Sequence, residues 1–91
     1  MKYVNQTKWF HKDGVPTAEV MHASMTSGPP FKGILSVTWW QIDSHIQGSI
    51  IIYESEETEK NYRPILLESR KSSPASMLEE TTGSVLAQFS V

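Results

Sequence analysis

The 91 residues carry 8 Lys and Arg against 10 Asp and Glu, a formal net charge of −2, with 38% hydrophobic residues and no Cys. This length predicts one domain spanning residues 1–91 with a scant interior, so self-association is expected, and the lack of Cys excludes a disulfide scaffold, a thiolate zinc site and a Cys nucleophile. The slightly acidic balance, with no basic run longer than Arg70-Lys71, argues against nucleic acid and anionic membrane as partners.

In chain order, Lys2 to Phe10 alternates β-formers with polar residues until Lys12-Asp13-Gly14, which predicts a first strand. Pro16 suits a first helical turn, and Ala18, Met21, His22 and Met25 fall at i, i+3, i+4, i+7 before Ser27-Gly28-Pro29-Pro30; this predicts a short helix. Gly33 to Ile42 is rich in β-branched and aromatic residues, Asp43-Ser44-His45 reads as a turn, and Gly48 to Tyr53 as the return strand of a hairpin. Ser55 with the acidic residues after it marks a helix start. Thr58, Tyr62, Ile65, Leu66 and Ser69 form its expected core stripe, with Glu56, Glu59, Lys60 and Arg63 elsewhere. Pro64 predicts a kink or restart near Asn61. Pro74 to Glu80 reads as a further helical turn, and Gly83 to Val91, with its alternating Val85, Ala87, Phe89 and Val91, as the last strand.

The order β-α-β-β-α-β predicts a four-stranded antiparallel sheet with two helices on one face. Strand two places Leu35, Val37 and Trp39 on one side and Ile34 and Trp40 on the other, so both sheet faces carry large apolar groups. Pairing two such sheets would bury the uncovered face, at about 25 cal/mol per Å² of apolar surface, and a homodimer through the sheets is expected. A β-bulge near Gly33 would exchange the roles of Trp39 and Trp40.

The run Pro30-Phe31-Lys32-Gly33-Ile34-Leu35-Ser36-Val37-Thr38-Trp39-Trp40, then Gly48 to Ser55 leading into Glu56 to Tyr62, resembles the dimeric α+β barrel superfamily. In particular it is similar to its antibiotic-biosynthesis-monooxygenase-like and YdhR-like small proteins. This chain has Pro30-Phe31-Lys32-Gly33 where many relatives have Pro-Gly-Phe. The resemblance implies a ferredoxin-like α+β fold, paired face to face as a barrel, with a ligand pocket between helices and sheet. Members include cofactor-free oxygenases, haem-degrading enzymes, isomerases, decarboxylases and proteins of no known activity, so resemblance does not choose among them.

His22, on the stripe of helix one, could orient or deprotonate a ligand, or sit at the core edge bonded to a carbonyl or water. His11 and His45 fall in turns, where solvated surface is expected. No His-x-x-x-His or Glu-x-x-His spacing occurs, so no metal is predicted. Haem-degrading relatives place an Asn on strand one and a His on helix two. This chain offers Asn5 or Thr7, but no His lies between Ser55 and Lys71, and no cofactor is expected. The remaining candidate site has Asn5, Thr7, His22, Tyr62 and Arg63 for a ligand's polar end. Met21, Met25, Trp39 or Trp40, Ile65 and Leu66 would enclose its apolar part. The same methionines could be simple core. The glutamates at the start of helix two read as a solvated face complementing the helix dipole. Strand three lacks the basic and aromatic pattern of an RNA-recognition motif, and no serine sits in a nucleophile-elbow pattern. The opening residues lack the apolar core of a signal peptide, and no stretch approaches roughly 18 apolar residues, so a soluble cytoplasmic protein is expected.

The functional expectation is a homodimeric binder of a small, largely apolar organic molecule, lipid-like or an aromatic acid. The alternative is a cofactor-free monooxygenase or isomerase acting on an activated aromatic or enolisable substrate, with His22 as base.

Overall fold

A computed structural model describes residues 1–27 and 31–91; the break expected at Gly28-Pro29-Pro30, and the first residue of the Pro30-Phe31-Lys32-Gly33 motif, lie outside the described residues. The elements are β1 (Tyr3–Phe10), α1 (Ala18–Thr26), β2 (Ile34–Gln41), β3 (Ile46–Tyr53), α2 (Glu56–Lys71) and β4 (Ser76–Ser84). They build one antiparallel sheet in the order β2-β3-β1-β4. This is the ferredoxin-like βαββαβ arrangement.

β1 is central and alternates as its sequence requires. Tyr3, Asn5, Thr7 and Trp9 stand opposite Tyr53, Ile51, Ser49 and Gln47 of β3, and this row faces α2, since Tyr62 packs on Tyr53 and Arg70 lies over Trp9. Val4, Gln6, Lys8 and Phe10 occupy the other face with Ile52, Ile50, Gly48 and Ile46. The β2–β3 turn is tied by Asp43, whose Oδ1 accepts the backbone N–H groups of His45 and Ile46 at 2.8 Å. α1 begins at Ala18, after an N-cap made by Thr17 Oγ1 with the Val20 N–H, so Pro16 precedes the helix instead of sitting in its first turn. Ser55 caps α2 through the Thr58 N–H.

The structure corrects the sequence reading in five places. First, the helical turn expected at Pro74–Glu80 and the strand expected at Gly83–Val91 are replaced by β4 at Ser76–Ser84. The inward row of β4 faces polar Asn5 and Thr7 across the register Asn5↔Thr82 and Thr7↔Glu80, so this strand carries no apolar alternation to read. The backbone follows β1 one residue further, through the Val85 N–H to the Lys2 carbonyl at 2.8 Å. Beyond it Leu86, Phe89 and Val91 are exposed.

Second, α2 is one helix through Pro64 rather than two pieces. Pro64 and Lys60 are both exposed, so the carbonyl one turn back can turn to water while inward contacts on either side hold the helix. Third, the inward face of α2 is rotated from the expected stripe. Glu59 is only 4% exposed and Tyr62, Arg63, Leu66 and Arg70 are half-buried, whereas Ile65 and Ser69 face outward. The charged side chains turn inward because they find partners on the sheet.

Fourth, a register shift between Ile34 and Ser36 puts Ile34 opposite Tyr53, in the helix-side row with Val37 and Trp39, instead of beside Trp40. Trp40 is thereby fixed on the opposite face, across from Gly48. Fifth, His11 is half-buried and bonded to Gln47 instead of solvated. His45 is exposed and stacks on Phe10.

Among the described residues, the buried apolar side chains are Ile51 and Tyr53, while Asn5, Thr7, Gln47, Ser49 and Glu59 are buried polar ones. A single chain therefore has a thin and unusually polar core.

Candidate functional site: a cleft between α1 and the sheet

Two distinct regions lie between the helices and the sheet. Under α2 the space is closed by an ionic network. Asn5 donates to Glu80 Oε2 at 2.8 Å, Arg70 donates to the same oxygen at 2.9 Å, and Arg63 bridges Glu80 Oε1 at 3.4 Å to Glu59 Oε1 at 2.8 Å. Burial alone would raise the Glu80 carboxyl, but the hydrogen bonds from Asn5 and Arg70 and the charges of Arg70 and Arg63 outweigh it and hold Glu80 below its ordinary value. Burial would likewise lower Arg63, and its hydrogen bond to Glu59 with the charges of Glu80 and Glu59 raises it instead. Tyr53, fully buried, is pushed up to about 12 by desolvation first and by the neighbouring Glu59 and Tyr62 second. Its hydroxyl and Arg70 Nε are buried without partners among the described residues.

Under α1 the packing is open. No residue of α1 is buried, because the helix presents Ala18, Met21, His22 and Met25 where a filled interface would need longer branched side chains. Its approach is set by the preceding loop, in which the Val15 N–H bonds the Ser44 carbonyl at 2.9 Å and the His11 N–H bonds the His45 carbonyl at 2.7 Å. Gly14, at φ +92°, makes the turn that allows this. The result is a cleft of about 270 Å³ lined by Val15, Pro16, Ala18, Met21, His22, Met25, Trp39, Trp40, Gln41 and Gln47.

Four of the sequence candidates, Met21, His22, Met25 and Trp39, come together in this cleft; Trp40 borders it as the next residue of β2, but its indole lies on the opposite sheet face against Gly48. The others do not join them. Asn5 and Arg63 belong to the ionic network, Thr7 accepts the Trp9 indole N–H at 2.7 Å, Tyr62 packs between Phe31 and Tyr53, Leu66 is half-buried beneath α2 and Ile65 faces outward. Gln47 was missed by sequence reasoning. Its neighbours Ile46 and Gly48 give a single glutamine no signature, and only the strand register shows that it turns to the helix side. The polar part of the cleft is thus Gln47, its Oε1 2.7 Å from His11 Nε2, with its cross-strand partner Gln41 and His22 exposed at the rim.

Among the described residues no group of three His, Cys, Asp or Glu is placed to hold a metal ion, and no helix is long and apolar enough to cross a membrane. The geometry suits a small molecule with an apolar body held by methionine and tryptophan and one polar group near Gln47.

The fold of the chain is that of the ferredoxin-like α+β class. A solved structure from Bacillus cereus, described provisionally as an antibiotic biosynthesis monooxygenase, matches it with a TM-score of 0.59 over 99% of this chain and 98% of that chain, at 14% identity. At that identity the likeness establishes the shared architecture. No family model and no curated protein matches the sequence.

Proposed function

We propose that this chain is a single-domain, homodimeric cytoplasmic protein that binds a small, largely apolar organic molecule, lipid-like or an aromatic acid, in the cleft between α1 and the sheet. The observation that carries the reading is the cleft itself. Its walls are Met21, Met25 and Trp39 while the region under α2 is closed by charge pairs. Its volume of about 270 Å³, just below the roughly 300–1,000 Å³ of ligand pockets, suits a bicyclic aromatic or a medium-chain acid. The dimer is supported by the open sheet face, where Val4, Ile50 and Ile52 are only half-buried and Phe10 and Trp40 are exposed. With Ile51 and Tyr53 as its buried apolar side chains, an isolated subunit would lack core, and two sheets packed face to face would supply it.

A thermal-shift titration with decanoic acid and 2-naphthoic acid tests the binding reading. The melting temperature of the wild type should rise with ligand concentration as RT ln(1 + [L]/Kd), and Met25→Trp, which fills the cleft, should abolish the rise. An unchanged melting temperature with every acid would dismiss it. Sedimentation at micromolar concentration should give the mass of two subunits. The second reading, a cofactor-free monooxygenase or isomerase, is favoured by the imidazole of His22 on the lining of the same cleft and by the description given to the Bacillus cereus neighbour. In it His22 removes a proton from an activated substrate held on the apolar wall. Turnover lost in His22→Ala with binding kept would distinguish it from binding alone.

A further inference from the structure

We propose that Gln47 is the specificity residue of the α1 cleft: its side-chain oxygen is engaged by His11, so it offers a ligand only amide N–H donors. The cleft would then select a molecule carrying a carboxylate or carbonyl at its buried end and reject one carrying an ammonium there. This rests on the reading of the cleft as a small-molecule site.

Gln47 is 5% exposed and lines the cleft. A glutamine so buried is expected to have both ends of its amide satisfied. One end is, since Oε1 lies 2.7 Å from His11 Nε2. The other has no hydrogen-bond acceptor among the described residues. Because Gln47 lines the cleft, its amide nitrogen is the end left for a ligand. An Nε2–H is present in one neutral tautomer of His11 and in the imidazolium, and either donates to Oε1. The His11 main chain is fixed by its N–H to the His45 carbonyl, and the half-buried ring is held by its bond to Gln47. The rest of the lining contains no carboxylate; its one titratable side chain is His22, and its other amide, Gln41, is exposed at the rim and not at the buried end. A ligand donor would meet the wrong end of a fixed amide, and a buried donor left unpaired loses affinity.

The test is a tryptophan-fluorescence titration with three probes of one shape, 2-methylnaphthalene, 2-naphthoate and 2-naphthylmethylammonium. They are applied to wild type, Gln47→Glu and His11→Phe. Wild type should bind the naphthoate about tenfold more tightly than the ammonium, the factor that one charge-assisted hydrogen bond supplies. Gln47→Glu should invert that order, and His11→Phe, which frees the amide to turn over, should shrink it to less than about threefold. In each variant the two charged probes are read as a ratio to that variant's own affinity for 2-methylnaphthalene, so that a change in the apolar wall drops out. In the wild type alone, independently of how the variants fold, the side-chain NH2 resonances of Gln47 should shift on addition of naphthoate. Equal affinities, a preference for the ammonium, or unmoved Gln47 resonances with naphthoate bound would overturn the assignment while leaving the cleft a binding site. Failure of 2-methylnaphthalene itself to bind would overturn both.

Discussion

The indole of Trp40 fills the space that a side chain at position 48 would need: a Cβ built on Gly48 would collide with Cε2 and Cζ2 of its ring. The two residues are cross-strand partners on the open sheet face, where the glycine lets the ring lie flat against the backbone of β3. Gly48→Ala should therefore lift Trp40 off the sheet at a cost of about 1–3 kcal/mol, as overpacking does. Chemical denaturation measures it. A stability equal to wild type would mean that the ring moves freely and the contact carries no weight.

The charge pairs under α2 predict an acute sensitivity at Glu59. Glu59 is nearly fully buried and is held by Arg63, so Glu59→Ala leaves a partly buried guanidinium with only the longer 3.4 Å contact to Glu80. Losing one partner of a fully buried pair costs about 3–5 kcal/mol, and Arg63 retains some solvent access, so a loss nearer the lower figure is expected. Replacing both, Glu59→Leu with Arg63→Met, should recover most of it, and a double-mutant cycle from urea melts reads the coupling. Additive losses would show that the pair is not coupled.

Glu80 sets the acid limb of stability. Its carboxyl lies below the ordinary value in the folded chain, so the folded state holds its proton less tightly than the unfolded state does. The contribution is complete above the unfolded carboxylate range near 4.3 and is lost as pH falls from there through the folded value. Melting temperatures from pH 6 to pH 2.5 should drop less steeply in Glu80→Gln than in wild type. Parallel curves would assign the acid loss to other groups.

Tyr53 sets the alkaline limb. Its phenol is pushed up to about 12, against about 10 in the unfolded chain, so stability is intact below 10 and declines between 10 and 12. Ultraviolet titration should show one of the three tyrosines ionising late, together with unfolding. Because the hydroxyl has no partner among the described residues, Tyr53→Phe should be neutral or stabilising at pH 7 and should extend the alkaline range. A loss above about 1 kcal/mol would reveal a hydrogen bond to that oxygen.

Pro64 lies in the interior of α2 on its exposed side. Pro64→Ala restores an amide donor to the helix ladder, and since proline costs up to about 3 kcal/mol in a helix interior, a rise in melting temperature is expected. A fall would show that the proline's ring packs usefully in the trough formed with Ile65 and Ser69.

The sequence by itself determined most of the architecture. β-branched and aromatic density marked β2 and β3, alternation marked β1, and the caps and acidic first turn marked α2, because local propensity and the apolar period act over a few residues. The same logic placed Met21, His22 and Met25 on one stripe of α1, and with Trp39 they share one cleft. Tertiary structure alone decided the rest. β4 is a strand because Asn5 and Glu80 find each other across the sheet, a polar pairing that leaves no hydrophobic period. α2 turns Glu59 and Arg63 inward for the same reason, since a charge is buried where a distant residue neutralises it. The bulge at Leu35 fixed which tryptophan faces the helices, and the register of β3 aimed Gln47 into the cleft with His11 behind it. Partners tens of residues apart in the chain choose each other by geometry, and no local pattern announces them.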